Sequence, residues 1–255
     1  MRRLLQRLRA VRKKAEGIGY PALGVLKISR WLPGKLLKLW VPGLPHPVTI
    51  RRGTTDERIL RYMFLTDYHY PPPEARVGTD DVILDLGANV GLSMLTYHRR
   101  YPGARIIGYE MDQDNCQLAR QNTARYPNLE VHQAAVSAAG GRVRYQKSGR
   151  PDGYSTGVSE DRADVVEVPA FTFSDILTRY ELTEIAFLKM DIEGSEWAIL
   201  EASDLGWLAS VRSFHIEFHG PDAGRLASCV ARLEGAGFVV SFRRKHPFEL
   251  VGYRP

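Results

Sequence analysis

The sequence predicts an α/β fold, a mostly parallel sheet covered by helices on both faces. Three observations point to it. From Val82 onward, short apolar runs alternate with longer stretches of helical periodicity, the pattern of strands joined by right-handed crossovers. The first of these runs, Val82–Leu86, opens into a glycine-rich turn, Gly87-Ala88-Asn89-Val90-Gly91. The composition is that of an ordinary globular chain, 255 residues with 44% hydrophobic and 25% charged, enough for one large domain with a sizeable core.

At the N-terminus, Leu4, Leu8, Val11, Ala15 and Ile18 recur at helical spacing, with Arg2, Arg3, Arg7, Arg9, Arg12, Lys13 and Lys14 on the other faces. This predicts a basic amphipathic helix. A second apolar stretch, Val25–Val41, holds Trp31 and Trp40 but is interrupted by Lys27, Arg30, Lys35 and Lys38, so no run reaches a membrane span. Glu16, Gly17 and Gly19 fall where the apolar core of a signal peptide would lie. Residues 1–40 carry eleven Lys or Arg against one acid, a net +10; the whole chain carries +6, which leaves −4 for residues 41–255. Basicity confined to one end argues against nucleic acid, which calls for a basic face on the main domain. It fits either a helical cap or peripheral contact with an anionic membrane, and the expected location is cytoplasmic, at most peripheral to the membrane's inner face.

Pro42–Pro47 marks a boundary, giving a basic helical N-terminal extension over 1–45 and the main domain over 46–255. Val48–Arg51 reads as a short strand. Thr54 and Glu57 form a capping-box pattern ahead of a helix through Leu65, and Tyr70-Pro71-Pro72-Pro73 breaks the chain. Strands are expected at Val82–Leu86, Arg105–Tyr109, Leu129–Gln133, Ile185–Met190 and Val211–Phe218. Helices are expected at Asn115–Arg125, Phe173–Tyr180, Glu196–Ala202 and Ala223–Gly235. Phe238–Arg244 and Glu249–Tyr253, joined at His246-Pro247, predict an antiparallel C-terminal edge hairpin. Cys116 and Cys229 have no metal-ligand spacing and read as packing residues of a chain in a reducing compartment.

The glycine-rich turn is the expected cofactor loop. Gly87 and Gly91 remove side chains where backbone is expected to pass close to a ligand, and Asn89 tolerates a left-handed conformation. About twenty residues on, Glu110 ends the next strand, where a nucleotide-binding fold holds ribose hydroxyls. That spacing fits NAD as well as S-adenosylmethionine. Two features favour the latter: Asp85 supplies a carboxylate for the ammonium of an amino-acid moiety, and the loop lacks the complete dinucleotide glycine pattern. The expected cofactor-binding set is Asp85, Gly87, Ala88, Asn89, Gly91, Glu110, Met111, Ala135 and Asp191.

A second cluster, Asp191-Ile192-Glu193-Gly194-Ser195-Glu196, follows the apolar run Ala186–Met190. Strand C-termini are the ligand-binding edge of an open α/β sheet. Asp191 needs a partner at such a tip, whereas Glu196 reads as a helix N-terminal residue favouring the macrodipole. Alternation along Phe214–His219 places His215, Glu217 and His219 on one face, with His215 deeper. The candidate catalytic residues are Asp191, Glu193, Glu217 and His219; Asp191, Glu217 and His219 also form a loose donor set for a divalent cation. Gly153-Tyr154-Ser155-Thr156-Gly157 reads as either acceptor wall or solvated loop.

Through Leu84–Gly91, through Arg51-Arg52-Gly53-Thr54-Thr55-Asp56 and above all through Leu188-Lys189-Met190-Asp191-Ile192-Glu193-Gly194-Ser195-Glu196, the chain resembles the FkbM-type methyltransferase family over about residues 47–220. The resemblance implies a Rossmann-like, doubly wound, seven-stranded sheet, S-adenosylmethionine as cofactor, and O-methylation of a hydroxyl on a sugar, glycolipid or secondary metabolite. Removing the proton of such an acceptor calls for a general base or a metal. One rival, an NAD(P)-dependent oxidoreductase, needs a Tyr-Lys pair at helix spacing, which Tyr97, Tyr101 and Tyr126 lack. A nucleic-acid amino-methylase needs an Asn/Asp-Pro-Pro-aromatic turn where Asp191-Ile192-Glu193-Gly194 lies, and a degenerate membrane-binding module predicts eroded motifs.

Overall fold

In a computed structural model, the structure describes residues 16–147, 154–156, 165–220, 222–243 and 246–255, with backbone alone at 147, 154–156 and 246–247. Of the basic helix expected through Ile18, residues 16–18 are helical and 1–15 lie outside the described residues, as do Gly153 and Gly157 of the candidate acceptor loop.

The central sheet has seven strands. Five run parallel: β3 (Val82–Leu86), β4 (Arg105–Glu110), β5 (Leu129–Gln133), β10 (Phe187–Met190) and β11 (Ser213–Glu217). The last strand, β13 (His246–Tyr253), pairs antiparallel with β11 and with the edge strand β12 (Val239–Arg243), giving the order β12-β13-β11-β10-β3-β4-β5. β3 and β10 are buried on both faces, which is why they read as near-continuous apolar runs. They are also neighbours at the point where strand order reverses, and their C-terminal ends open a crevice there.

Alternation sorts the core into two layers. Ile83, Ile106 and Phe187 pack under α3 (Leu92–Arg100) and α4 (Gln113–Thr123). Leu84, Leu86, Ile107 and Leu188 pack with α5 (Phe173–Arg179), α6 (Ser195–Glu201) and α7 (Ala223–Gly235). The first layer also takes in Ile18, Ala22 and Leu26, the last two from α1 (Tyr20–Ile28), and the inward residues of an antiparallel pair, β1 (Leu36–Leu39) and β2 (Val48–Arg51).

Two local features differ from expectation. Helix α2 (Asp56–Leu65) starts at Thr55 without the Thr54–Glu57 capping box. Instead Asp56 is buried and accepts from both the backbone N–H and the guanidinium of Arg51, at 2.9 Å each, which fixes the chain's approach to the helix. Beyond β5, a segment the sequence left irregular forms a second sheet of β6 (Ala135–Val136), β9 (Val165–Phe171), β7 (Gly141–Lys147) and β8 (Tyr154–Thr156).

Candidate active site

The chain leaves β3 through Gly87, whose N–H, like that of Ala88, donates to the Tyr109 carbonyl at 2.9 Å. Gly87 has φ 79°, and a Cβ there would overlap the Asp191 carbonyl oxygen; at Gly91, φ 80°, a Cβ would come within 3.2 Å of the Ala119 Cα. Both glycines therefore stand where a side chain would meet the protein's own backbone, and Gly87 also borders the cavity described below. Asn89 is left-handed at φ 49° and its N–H donates to Glu110 Oε2 at 2.8 Å; the other oxygen of Glu110 accepts from the Asp112 N–H at 2.8 Å. Burial pushes the Glu110 carboxyl up to about 7 in spite of these two bonds. Asp112 in turn caps α4, accepting from the N–H groups of Asp114 and Asn115, and takes the Tyr145 hydroxyl at 3.3 Å.

Asp85 does not face ligand space. Register sets it beside Lys189, on the sheet face that carries α3, where it is fully buried and accepts from the Ser93 hydroxyl. The Lys189 ammonium lies 3.3 Å from Asp85 and 3.4 Å from Asp191, and donates to the Gly87 carbonyl at 2.6 Å. Burial opposes its charge, but the two carboxylates outweigh this and raise its pKa. Lys189 thus neutralises the sheet interior and fastens the cofactor loop to β10. Its only sequence signal is a lysine between Leu188 and Met190 in an apolar strand.

At the tips of β10 and β11 the candidate acids converge. Glu196 is fully buried and accepts from the N–H groups of Ile192 and Gly194 at 2.7 Å each and from His219 Nδ1 at 3.0 Å. Its carboxylate is the anchor of the loop, which corrects the reading of Glu196 as a macrodipole residue. His219 Nε2 lies 3.7 Å from both Asp191 and Glu193. Burial lowers the pKa of His219, but the bond to Glu196 and the charges of Asp191, Glu196 and Glu193 outweigh it and bring it to about 9. His219 is therefore an imidazolium at neutral pH. Burial pushes Glu193 up to about 7, partly offset by His219. Glu217, which accepts from the Tyr68 hydroxyl at 3.1 Å, also rises to about 7, through burial and then the charge of Asp191.

Tyr68 and His69, ahead of the proline run, were not marked by sequence. Their rings stack edge-on at 4.4 Å, and His69 is buried against His215, ring centres 5.0 Å apart. Two groups among the described residues bring three ligand atoms within 4.8 Å: His69, Asp191 and Glu217; and Asp191, Glu196 and His219. The expected set of Asp191, Glu217 and His219 is thus regrouped, because Glu196 holds His219 while His69 faces Glu217.

Ala88, Asn89, Glu110, Met111 and Ala135 line one cavity of about 470 Å³ together with Asp191, Glu193, Glu217 and His219. Gly87 and Lys189 lie on its wall as well; Asp85 and Gly91 do not. The side chains of Tyr154, Ser155 and Thr156 lie outside the described residues.

Residues 85–245 match the family described as Methyltransferase FkbM domain. The chain is 28% identical over 230 residues to 31-O-demethyl-FK506 methyltransferase FkbM of Streptomyces tacrolimicus, covering 77% of this chain and 88% of that protein. It is 26% identical over 200 residues to methyltransferase sdnD of Sordaria araneosa, covering 66% and 77%. Among solved structures, the N-terminal domain of EvdMO1 with SAH bound is 16% identical, with a TM-score of 0.36 over 68% of this chain and 72% of that one; so distant a likeness adds nothing to the family match.

Proposed function

Since the chain belongs to the FkbM methyltransferase domain family, we propose that it transfers a methyl group from S-adenosylmethionine to a hydroxyl oxygen of a sugar, glycolipid or secondary metabolite. The observation that carries this reading is the shared cavity: Glu110, locked to the Asn89 N–H, and the acids of the β10 and β11 tips face the same space. The fit to the cofactor rests on this chain's own groups. Both Glu110 oxygens keep a lone pair after accepting backbone N–H bonds, suiting a pair of ribose hydroxyls, and the buried Asn89 Oδ1 has no partner. Met111 and Ala135 supply apolar wall beside them.

When bound, the cofactor supplies an electrophilic methyl carbon, and the displacement depends on holding the acceptor oxygen in line with it. The acceptor's proton goes to a carboxylate. Glu193 and Glu217 are both held near 7, so each is substantially ionised at neutral pH yet basic enough to accept it. His219 cannot be that base, because it already carries a proton; it orients Asp191 and Glu193. Isothermal titration with S-adenosylhomocysteine and, separately, NADH tests the reading. Binding of the former alone, weakened by Glu110→Ala, is expected; binding of NADH alone overturns it.

A further inference from the structure

Resting on that reading of the cavity, we propose that His69, Asp191 and Glu217 form a divalent-cation site beside the methyl acceptor. One ring nitrogen of His69 and one oxygen from each acid lie within 4.8 Å of one another. Adjacent ligands of an octahedral ion bound at ~2.1 Å are ~3 Å apart, so a closure of up to ~2 Å completes the set. The three residues come from three elements, the segment after α2 and the tips of β10 and β11, so no single helical or strand period explains their meeting. His69 is 6% exposed, and its Nδ1 is buried with no hydrogen-bond partner. A buried nitrogen in that state calls for an explanation, and a bound ion is one.

Charge points the same way. Asp191, Glu193, Glu196 and Glu217 gather at the tips of β10 and β11 around Lys189 and His219, with Arg58 also on the cavity wall. A dication offsets the surplus. The other cluster, Asp191, Glu196 and His219, is already closed by the Glu196–His219 hydrogen bond and is not a site. Two carboxylates and one imidazole suit Mg²⁺ or Mn²⁺. A cation held there would acidify the acceptor hydroxyl, and Glu193, which is not one of the three ligands, would remain free to take its proton.

The test is titration with Mn²⁺ alone, followed by the electron paramagnetic resonance signal of the free ion, on the full chain and on His69→Ala, Glu217→Gln and Glu193→Gln. One equivalent is expected to bind, at least ~10-fold more weakly in the first two variants and unchanged in the third. Absence of Mn²⁺ binding, or undiminished binding by folded His69→Ala and Glu217→Gln, overturns the site. S-adenosylhomocysteine binding on the same samples separates the two readings: its retention without Mn²⁺ binding sinks the metal site alone, and its loss with Mn²⁺ binding intact sinks methyl transfer alone.

A second inference comes from the N-terminal surface: we infer that residues 20–40 dock on an anionic lipid surface. Five large apolar residues there are exposed, among them Tyr20 at 66%, Trp31 at 65% and Trp40 at 59%. Leu36 and Lys38 share the outward face of β1 and Trp40 is exposed just beyond it, while Leu37 and Leu39 point into the core. Gly19 sets the start of α1 against the Trp40 carbonyl, and Arg52 ties the carbonyls of Ser29, Leu32 and Lys35 together at the other end. Lys27, Arg30, Lys35 and Lys38 are interleaved with these aromatics, and no acid lies between Tyr20 and Trp40. Tryptophan and tyrosine beside lysine and arginine, with no helix among the described residues long and apolar enough to cross a membrane, is the chemistry of an interface-bound surface. Co-sedimentation of the full chain with phosphatidylglycerol-containing vesicles is expected to exceed that with phosphatidylcholine vesicles and to fall in the pair Trp31→Ala, Trp40→Ala. Equal binding to both vesicles, or undiminished binding by the folded pair, overturns it.

Discussion

Gly87 illustrates how little room the site's framework leaves. Its positive φ and the Asp191 carbonyl against its α-carbon both exclude a side chain, so Gly87→Ala is expected to destabilise the fold by about 2–4 kcal/mol in urea unfolding. The titratable residues carry a second prediction, in pH. Folding raises His219 from 6.5 to about 9, so its stabilisation is complete below about 6.5 and is lost as pH rises through about 9. Folding raises Glu193 and Glu217 from 4.5 to about 7; for an acid this penalises the ionised form, so the penalty is absent below about 4.5 and complete above about 7. Both effects lower stability as pH climbs, and thermal melting is expected to fall from pH 5 to pH 9. Glu217→Gln, which keeps an oxygen for the Tyr68 hydroxyl, is expected to gain on the order of 1 kcal/mol at pH 8 and to flatten the early part of that fall. A variant melting curve parallel to the parent's over pH 5–7 sinks this assignment. The acids at strand ends were legible in sequence because a carboxylate after an apolar run has few structural reasons to be there. Asp85 met the same criterion and was misplaced, since sequence could not show that the next parallel strand offers it a lysine in register. Tyr68 and His69 carry no local signal at all; only tertiary closure brings them to β11.

At the scale of elements, the parallel strands and their helices were readable because each is either apolar throughout or periodic, as with Ala223–Gly235. The second sheet was not: among its described side chains the large buried one is Tyr145, which is held by Asp112 across the chain. Elements also depend on single side chains that no periodicity marks. Asn122 of α4 is buried, donates to the carbonyls of Thr49 and Val90 at 2.9 Å each, and accepts the Thr49 N–H at 2.8 Å. It therefore fastens β2 and the cofactor loop to one helix. Asn122→Ala leaves three backbone groups without partners in a buried position and is expected to cost about 2–4 kcal/mol. Because Val90 belongs to the loop, the same variant is expected to weaken S-adenosylhomocysteine binding; full affinity in a destabilised but folded variant contradicts the coupling.

For the whole molecule, the question is whether residues before Pro45 form a separable extension, as the Pro/Gly-rich boundary and the break in charge suggest. The packing argues for one cooperative unit. Ile18, Ala22, Leu26, Leu37 and Leu39 share a continuous apolar layer with Leu92, Leu95 and Tyr97 of α3. Polar links cross the same seam: Arg99 donates to the Gly17 carbonyl at 3.0 Å, and the Arg52 N–H donates to the Lys35 carbonyl at 2.7 Å. Removing this layer exposes one face of α3 and strips β2 of its partner β1, losing apolar burial at roughly 25 cal/mol per Å² on a domain whose net stability is only 5–15 kcal/mol. Unfolding by heat is therefore expected to be a single transition, with amides of β1 and β2 protected against hydrogen exchange to the same degree as those of β3 and β10. Two resolved transitions, or exchange of β1 and β2 well ahead of the central sheet, mark the N-terminal segment as an independent unit. If the segment does unfold with the core, vesicle-binding tests on the intact chain report a surface that is continuous with the apolar layer under α3, because Ala22, Leu26, Leu37 and Leu39 share that layer.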